Sequence, residues 1–520
     1  MNARRSLAVL GFCVLAGCAS DQAPALPVSG GAGSEATPSN RWAADAQSEL
    51  AQRKALKPNR KRAKNVILFV ADGMDPTTVA AARIYDGQSR GDAGEENMLS
   101  FERFPYLAMS KTYTTDYQVP DSAGTMSAMV TGVKTRSGAL SVSEEVPRGN
   151  CPAALQHSVV TLGELSEQAG MATGVVSTAR LTHATPAAVY SHSPSRGWEA
   201  DANMPKGAID FGCRDIARQL IEFEYGDGLE VAMGGGREKF MPMETADPED
   251  EDVTGDRKDG RDLTAEWSAK SPAHVYVWDK KGFEALSDDA RPLALFDRSH
   301  MTYEIEREEA DVGGEPSLEE MTRKAISILS KNDNGFFLMV EAGRVDHAHH
   351  EGLARKALSE AQEYAQAVAA AVEMTDTNET LIVVTADHGH TVTFQGYPAR
   401  GNDILGLAKS SMAGGGLRAM KARDGKAYTT LSYANGPGSI FQPGVDFSNG
   451  RPDPASADLT DINYRQQALI PTGSETHGGQ DVGIYAVGPN AYLFSGTVEQ
   501  NYIFHVIEDA LDLRARVQEK

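Results

Sequence analysis

The ten residues from Glu341 to His350, Glu341-Ala342-Gly343-Arg344-Val345-Asp346-His347-Ala348-His349-His350, hold two carboxylates and three histidines. A helix that opens near Asp346 sets Asp346 and His350 four apart on one face. A carboxylate and an imidazole on one face are suitable zinc ligands. Asp387-His388 forms a second adjacent pair, and His477, in Glu475-Thr476-His477-Gly478-Gly479, stands as a third candidate. With only 12 histidines in 520 residues, this concentration is not an even scatter. A nucleophile candidate is Ser122, in Pro120-Asp121-Ser122-Ala123-Gly124-Thr125. Small residues followed by a helical run place it at a helix N-terminus, where backbone N–H groups favour an anion. Taken alone, the segment reads equally as a plain Asp or Ser cap. No histidine lies beside Ser122 in sequence, so its activation would fall to a metal.

Such groups converge only if the chain folds them together. Asn65-Val66-Ile67-Leu68-Phe69-Val70-Ala71-Asp72 is a near-continuous apolar run ending in an acid, the pattern of a buried parallel strand. The same pattern recurs at Gly335 to Glu341 and at Thr380 to His388. Helical stretches from Leu318 to Leu329 and from Ala354 to Met374 lie between them. Strands alternating with helices predict an α/β fold, a large and mostly parallel sheet with helices on both faces. Ligands bind such sheets beyond the carboxyl ends of the strands. Three strands that end in metal-capable side chains therefore point at one place.

The composition, 41% hydrophobic and 23% charged, suits one large domain with insertions. The formal charge of −22 argues against wrapping nucleic acid, which needs Lys and Arg to neutralise phosphates. It would also repel any phosphate substrate unless local cations reverse the sign. Arg4 and Arg5 followed by an apolar run from Leu7 to Leu15 read as an export signal, too short to span a bilayer in the mature protein. The run ends in Leu15-Ala16-Gly17-Cys18, which looks like a bacterial lipobox: residues 1–17 are removed and Cys18 is lipidated. Ala19 is not aspartate, which by the Gram-negative lipoprotein rule favours the outer membrane over retention elsewhere in the envelope. An ordinary signal peptide is the alternative. Residues 18–40 are rich in Ala, Gly, Pro and Ser and read as a tether, and Arg41 to Leu56 as a helix stopped by Pro58. Outside the export segment, Cys151 and Cys213 form an even pair, for which a disulfide is the natural reading in an oxidising compartment.

The segments Val66 to Met74, Asp121 to Thr125, Thr182 to Pro186, Glu341 to Glu351, Thr385 to His390 and Glu475 to Val482 resemble those of alkaline phosphatases, in the same order. The resemblance covers about Arg41 to Val506 and implies hydrolysis of phosphate monoesters, with broad specificity, through a phosphoserine on Ser122. It implies a first zinc on Asp346, His350 and His477, a second on Asp72, Asp387 and His388, and a magnesium on Asp72, Thr185 and Glu341. Arg196, in Pro194-Ser195-Arg196-Gly197-Trp198, falls where the family keeps its phosphate-clamping arginine. His183 and His347 stand where one bacterial branch has Asp and Lys and the animal enzymes have histidine, and the cysteine pair falls where the animal branch has a disulfide. An imidazole there would let zinc compete with magnesium. Glu249, the Phe296 carbonyl, Asp297 and Glu315 resemble the animal calcium ligands, all oxygen donors. Glu stands for Asp at 315, and a solvated acidic surface is the open alternative. The arm helix at 41–57 and an inserted region at about 396–471, matching the animal crown, imply a homodimer. Related phosphodiesterases and sulfatases share the metal architecture. The former use threonine without the third metal site, and the latter a Cys/Ser-x-Pro-x-Arg context absent around Ser122.

Overall fold

A computed structural model describes residues 38–307, 314–444, 448 and 450–518. Cys18, the export signal and most of the expected tether lie outside the described residues. The chain divides after Ala51 into two compact units. In the first, the described residues are helical, part of a helix Pro38–Ala55 that begins three residues before the expected Arg41. Its Trp42 and Leu50 are each 55% exposed. Among the described residues, no helix is long and apolar enough to cross a membrane.

The second unit is built on a ten-stranded sheet. From one edge its strands are Gly496–Glu499, Tyr106–Lys111, Val482–Val487, Thr380–Ala386, Asn65–Ala71, Phe336–Ala342, Ala172–Arg180, Val231–Gly235, Arg291–Leu295 and His274–Val277. All run parallel except Val482–Val487, which is antiparallel to both neighbours. The three strands singled out by their apolar runs are adjacent at the centre, in register at Ala71 with Ala342 and with Ala386. The residues just beyond them, Asp72, Gly343 and Asp387, therefore leave the sheet at one level.

Why these runs are apolar throughout is plain from their two faces. Ile67, Phe69 and Ala71 pack into one core, with the helices Leu318–Leu329 and Ala354–Met374. Val66, Leu68 and Val70 pack into the other, with the helices Ser122–Thr131, Ala184–Tyr190 and Tyr502–Leu511. A strand covered on both sides buries every side chain, and each large one contributes about 1.5–3 kcal/mol. A covalent tie, the disulfide Cys151–Cys213, closes a loop of sequence separation 62.

The stretch 396–471 stays outside the large sheet. It supplies Leu431–Gly436 and Ala468–Pro471 to a three-stranded sheet with Val392–Phe394, and forms the two-stranded ribbon Lys409–Ser411 with Leu417–Ala419.

Candidate metal centre

At the carboxyl ends of the central strands lie four overlapping groups of ligand atoms, each group within 4.8 Å: Asp346, His388, His390 and His477; His350, His390 and Glu475; Asp72, Asp387 and His388; Asp72, His183 and Glu341.

The first is organised around Asp346, on the short helix Arg344–His350 that follows the Phe336–Ala342 strand. Its Oδ1 lies 3.3 Å from Nε2 of His350 and 3.3 Å from Nε2 of His477. His477 arrives on a two-residue ribbon in which it pairs with His390. The Nδ1 of His350 donates to the Glu475 carbonyl at 2.5 Å, and the Nδ1 of His477 to the Pro120 carbonyl at 2.7 Å. A carbonyl can only accept, so each neutral ring carries its proton on Nδ1 and presents a bare Nε2. These two Nε2 atoms lie 3.1 Å apart. Facing lone pairs beside a carboxylate repel unless a proton or a metal ion lies among them. Burial opposes a charge on His477, but Asp346 outweighs burial and raises its basicity. Second partners on the far nitrogens are what orient metal-binding histidines. The donor set fits zinc.

The second group follows the two strand ends. Asp387 Oδ1 accepts from the backbone N–H of Gly73 and of His388, each at 3.0 Å. The Nε2 of His388 lies 3.1 Å from Asp72 and 3.4 Å from Asp387. Burial and Asp346 push the Asp72 carboxyl up to about 7, and burial and Asp72 push Asp387 up to about 6. Burial takes His388 down to about 3. Carboxylates crowded in a dry site resist ionisation until a cation offsets them, so this set too fits a metal. Stacking of His388 on His477, ring centroids 3.6 Å apart, joins the two groups.

The third group is the most starved of partners. Glu341 is fully buried, and burial and Asp72 hold it well above the usual carboxylate range. Ser177 donates to its Oε2, but Oε1 has no hydrogen bond, nor has the buried hydroxyl of Thr185. Orphaned oxygens at the end of a dry strand suit a hard cation. His183 Nδ1 is likewise buried without a partner.

Ser122 opens the helix Ser122–Thr131, capped by Asp121, whose side chain accepts from Gly124 N–H. Its Oγ donates toward Asp72 Oδ2 at 3.2 Å and lies 3.2 Å from His388 Nε2. Arg196 is held from two sides, by Asp121 Oδ2 at 3.2 Å and by His183 Nε2 at 2.9 Å. His347 packs near His183, ring centroids 5.5 Å apart, and accepts from Arg344.

Other sequence candidates are not gathered. Among the described residues, no compact ligand group contains Glu249, Asp297 or Glu315. Arg237 donates to Glu249, Asp297 accepts from the Ser299 N–H, and Glu315 accepts from the Thr302 N–H. The carbonyl of Phe296 thus has no gathered set to join.

Sequence reasoning missed His390 and Glu475. His390 donates to Asp346 at 2.9 Å and to Glu475 at 2.6 Å. Burial alone would lower its basicity, but the two carboxylates outweigh that and push it up to about 10. The available signal was period two. In extended chain His390 shares a face with His388, and Glu475 with His477. Gly73, with φ of 73°, leaves room for His390, since a Cβ there would collide with its ring.

The sequence profile described as alkaline phosphatase matches residues 63–513. The chain is 43% identical over 475 residues to the tissue-nonspecific alkaline phosphatase of Gallus gallus, covering 90% of this chain and 88% of that protein. It is 43% identical over 457 residues to the alkaline phosphatase of Gadus morhua, covering 86% and 92%. Among solved structures, the alkaline phosphatase of Thermus thermophilus superposes with a TM-score of 0.61 at 24% identity, over 88% of this chain and 93% of that one. That of the Antarctic bacterium TAB5 superposes at 0.57 and 21%, over 87% and 99%. A His-to-Asp mutant of the TAB5 protein has magnesium bound in a site named M3.

Proposed function

Because the chain belongs to the alkaline phosphatase family, metal-dependent hydrolases of phosphate monoesters, we propose that Ser122 is the nucleophile and the clusters around it hold two zinc ions and one magnesium. Asp346, His350 and His477 would hold the first zinc, Asp72, Asp387 and His388 the second, and Asp72, Thr185 and Glu341 the magnesium. The observation that carries this reading is Ser122 Oγ at 3.2 Å from both Asp72 and His388, at the mouth of a helix.

When bound, the ions supply Lewis acidity toward the oxygens that enter and leave phosphorus. The protein's own groups do the rest. Ser122, its hydroxyl proton given up to solvent, attacks phosphorus as the bond to the substrate oxygen breaks and that oxygen takes a proton. Water then attacks the same phosphorus from the vacated side, breaking the Ser122–phosphate bond, releasing inorganic phosphate and restoring the hydroxyl. Arg196 spends one donor on Asp121 and one on His183, which leaves the rest of its fork for two non-bridging phosphate oxygens. Helix N–H groups below Ser122 favour the same anion. Recognition through the phosphate alone supports broad specificity. His183, gathered with Asp72 and Glu341, supports competition between zinc and magnesium at the third position, provided the ring exchanges the Arg196 contact on its Nε2 for the ion. A calcium ion on Glu249, the Phe296 carbonyl, Asp297 and Glu315, all oxygen donors, would compete with Arg237 for Glu249.

Hydrolysis of a chromogenic phosphomonoester, beside the matching diester and sulfate ester and before and after chelation, tests the reading. Monoester turnover lost on chelation supports it, and preference for the diester or the sulfate refutes it.

We also propose export and a lipid anchor on Cys18, in the outer membrane or on the periplasmic face, and a two-fold homodimer. A structural disulfide supports the oxidising compartment. Exposed apolar side chains in the inserted region, Tyr397 at 85%, Leu469 at 63% and Ile470 at 53%, support a covering subunit. Fatty-acid labelling lost in Cys18→Ser tests the anchor, and light scattering of the lipid-free form tests the dimer.

A further inference from the structure

The fifth compact group of acidic ligands lies at the opposite end of the sheet. Glu167 belongs to the helix Leu162–Gln168, Glu230 immediately precedes the strand Val231–Gly235, and Asp227 lies in the loop before it. Their carboxylate oxygens come within 4.8 Å of one another. Thr173 and Arg291, which line the group, sit at the starts of their own strands. The group therefore occupies the amino ends of the strands, while the catalytic centre occupies the carboxyl ends.

Three carboxylates here face one guanidinium. Arg291 donates to Glu230 Oε1 at 2.7 Å, to the Asp227 carbonyl at 2.7 Å, and to the Asp227 carboxylate. Glu230 also accepts from the Thr173 N–H at 2.6 Å. Nothing comparable serves Glu167. It is 1% exposed, and neither of its carboxylate oxygens forms a hydrogen bond. The Thr173 hydroxyl lies beside it, buried and outside good hydrogen-bond geometry, and offsets only part of the rise that burial and Glu230 impose on the Glu167 carboxyl. A carboxylate taken out of water without donors costs several kcal/mol unless it stays protonated or meets a cation. The backbone is shaped around it as well. Gly226 has φ of 55°, and a Cβ there would collide with Glu167 Oε2 and with its carbonyl. Glycine thus keeps the space before this carboxylate clear, while the Asp227 side chain, 75% exposed, leaves the group open to water on one side.

We propose that Glu167, Asp227 and Glu230 hold a calcium ion. The donors are all oxygen, as hard divalent cations require, and the open side admits the waters that complete a flexible shell of six to eight, which suits calcium better than magnesium. The ion would displace the proton that Glu167 otherwise holds, releasing it to water, would answer the charge that Arg291 leaves uncompensated, and would fasten the loop that carries Gly226 and Asp227 to the helix that carries Glu167.

The test is calorimetric titration of calcium into the zinc- and magnesium-loaded protein, with magnesium alone as a second titrant. Wild type should bind calcium at this site, and saturating calcium should raise its Tm. Glu167→Gln should lose that binding and that rise. Asp227→Asn, a change at an exposed side chain that leaves folding intact, should weaken calcium by more than the about tenfold that a supporting residue costs. Phosphatase activity should be unchanged in both. Glu249→Gln separates this site from the other acidic set, because it should leave the event removed by Glu167→Gln in place. No calcium uptake by wild type, equal uptake by Asp227→Asn and wild type, or tighter binding of magnesium than calcium would overturn the proposal.

Discussion

The Nε2 atoms of His350 and His477 face each other at 3.1 Å while the Nδ1 of each is pinned to a backbone carbonyl. Neither ring can turn to relieve the contact without giving up its carbonyl, so the pair is preorganised for an ion. His477→Ala and Asp346→Ala should each lose about one zinc per chain, and Asp387→Ala the neighbouring zinc, because three protein ligands are the usual minimum at a catalytic site. Elemental analysis of the purified variants checks this, and unchanged zinc would mark the clusters as purely structural.

Ser122→Ala should keep its metals and fold, since the side chain is small and its helix is capped by Asp121. Monoesterase activity should fall by at least about a thousandfold, as when a nucleophile is removed from a catalytic unit. In the unmutated protein, acid quenching followed by mass spectrometry should find phosphate on Ser122. Phosphate on another residue would defeat the assignment.

His390→Ala removes the bridge between Asp346 and Glu475 without removing a proposed zinc ligand. Zinc affinity, measured by competition with a chelator, should drop by about 10–100-fold and not vanish. Complete loss of the ion would instead make His390 a ligand.

Cys151→Ser combined with Cys213→Ser should lower Tm, because a loop of separation 62 is no longer closed in the unfolded chain. The loop-entropy relation gives about 4 kcal/mol for its removal. Calorimetry on oxidised wild type, reduced wild type and the double variant checks it. Reduced wild type should match the variant.

Glu167 sets a pH dependence of known sign. Burial and the charge of Glu230 push it up to about 9 in the fold, from an ordinary 4.5, with Asp227 adding to the rise and Thr173 and Arg291 opposing it. The folded protein then holds this proton more tightly than the unfolded chain. The contribution to stability is complete below pH 4.5 and is lost as pH rises toward 9. In calcium-free buffer wild type should therefore lose more stability between pH 6 and 9 than Glu167→Gln, read as the difference between their denaturant midpoints (a range set by the shift just given). Identical slopes would show that Glu167 is already ionised or satisfied.

Much of the candidate metal centre was legible because strand ends are local features. Asp72, Glu341, Asp387 and His388 each terminate an apolar run or follow it directly, and a parallel sheet brings such ends together without further information. His390 and Glu475 follow a local rule as well, alternation in extended chain, but in a two-residue ribbon too short to show in composition. The antiparallel strand Val482–Val487 was hidden for another reason. Its alternating burial suits either strand direction, so direction depends on what it pairs with. Glu167, Asp227 and Glu230 had no sequence signature, because 57 residues separate the Thr173 N–H from the Glu230 carboxylate it meets. The calcium ligands expected from resemblance fared differently, since Glu249 is engaged by Arg237 and not gathered with Asp297 and Glu315.

The two-residue ribbon that carries His477 has a consequence for biosynthesis. Ligands for one small volume are drawn from Asp72 near the start of the folded unit and from His477 close to its end. Chains emerge from the ribosome amino end first. A polypeptide that stops short of His477 would therefore lack a wall of the candidate centre whatever the state of its sheet. The proposed first zinc draws on His477, so only a chain that carries its last strands would hold that ion with its full set of ligands.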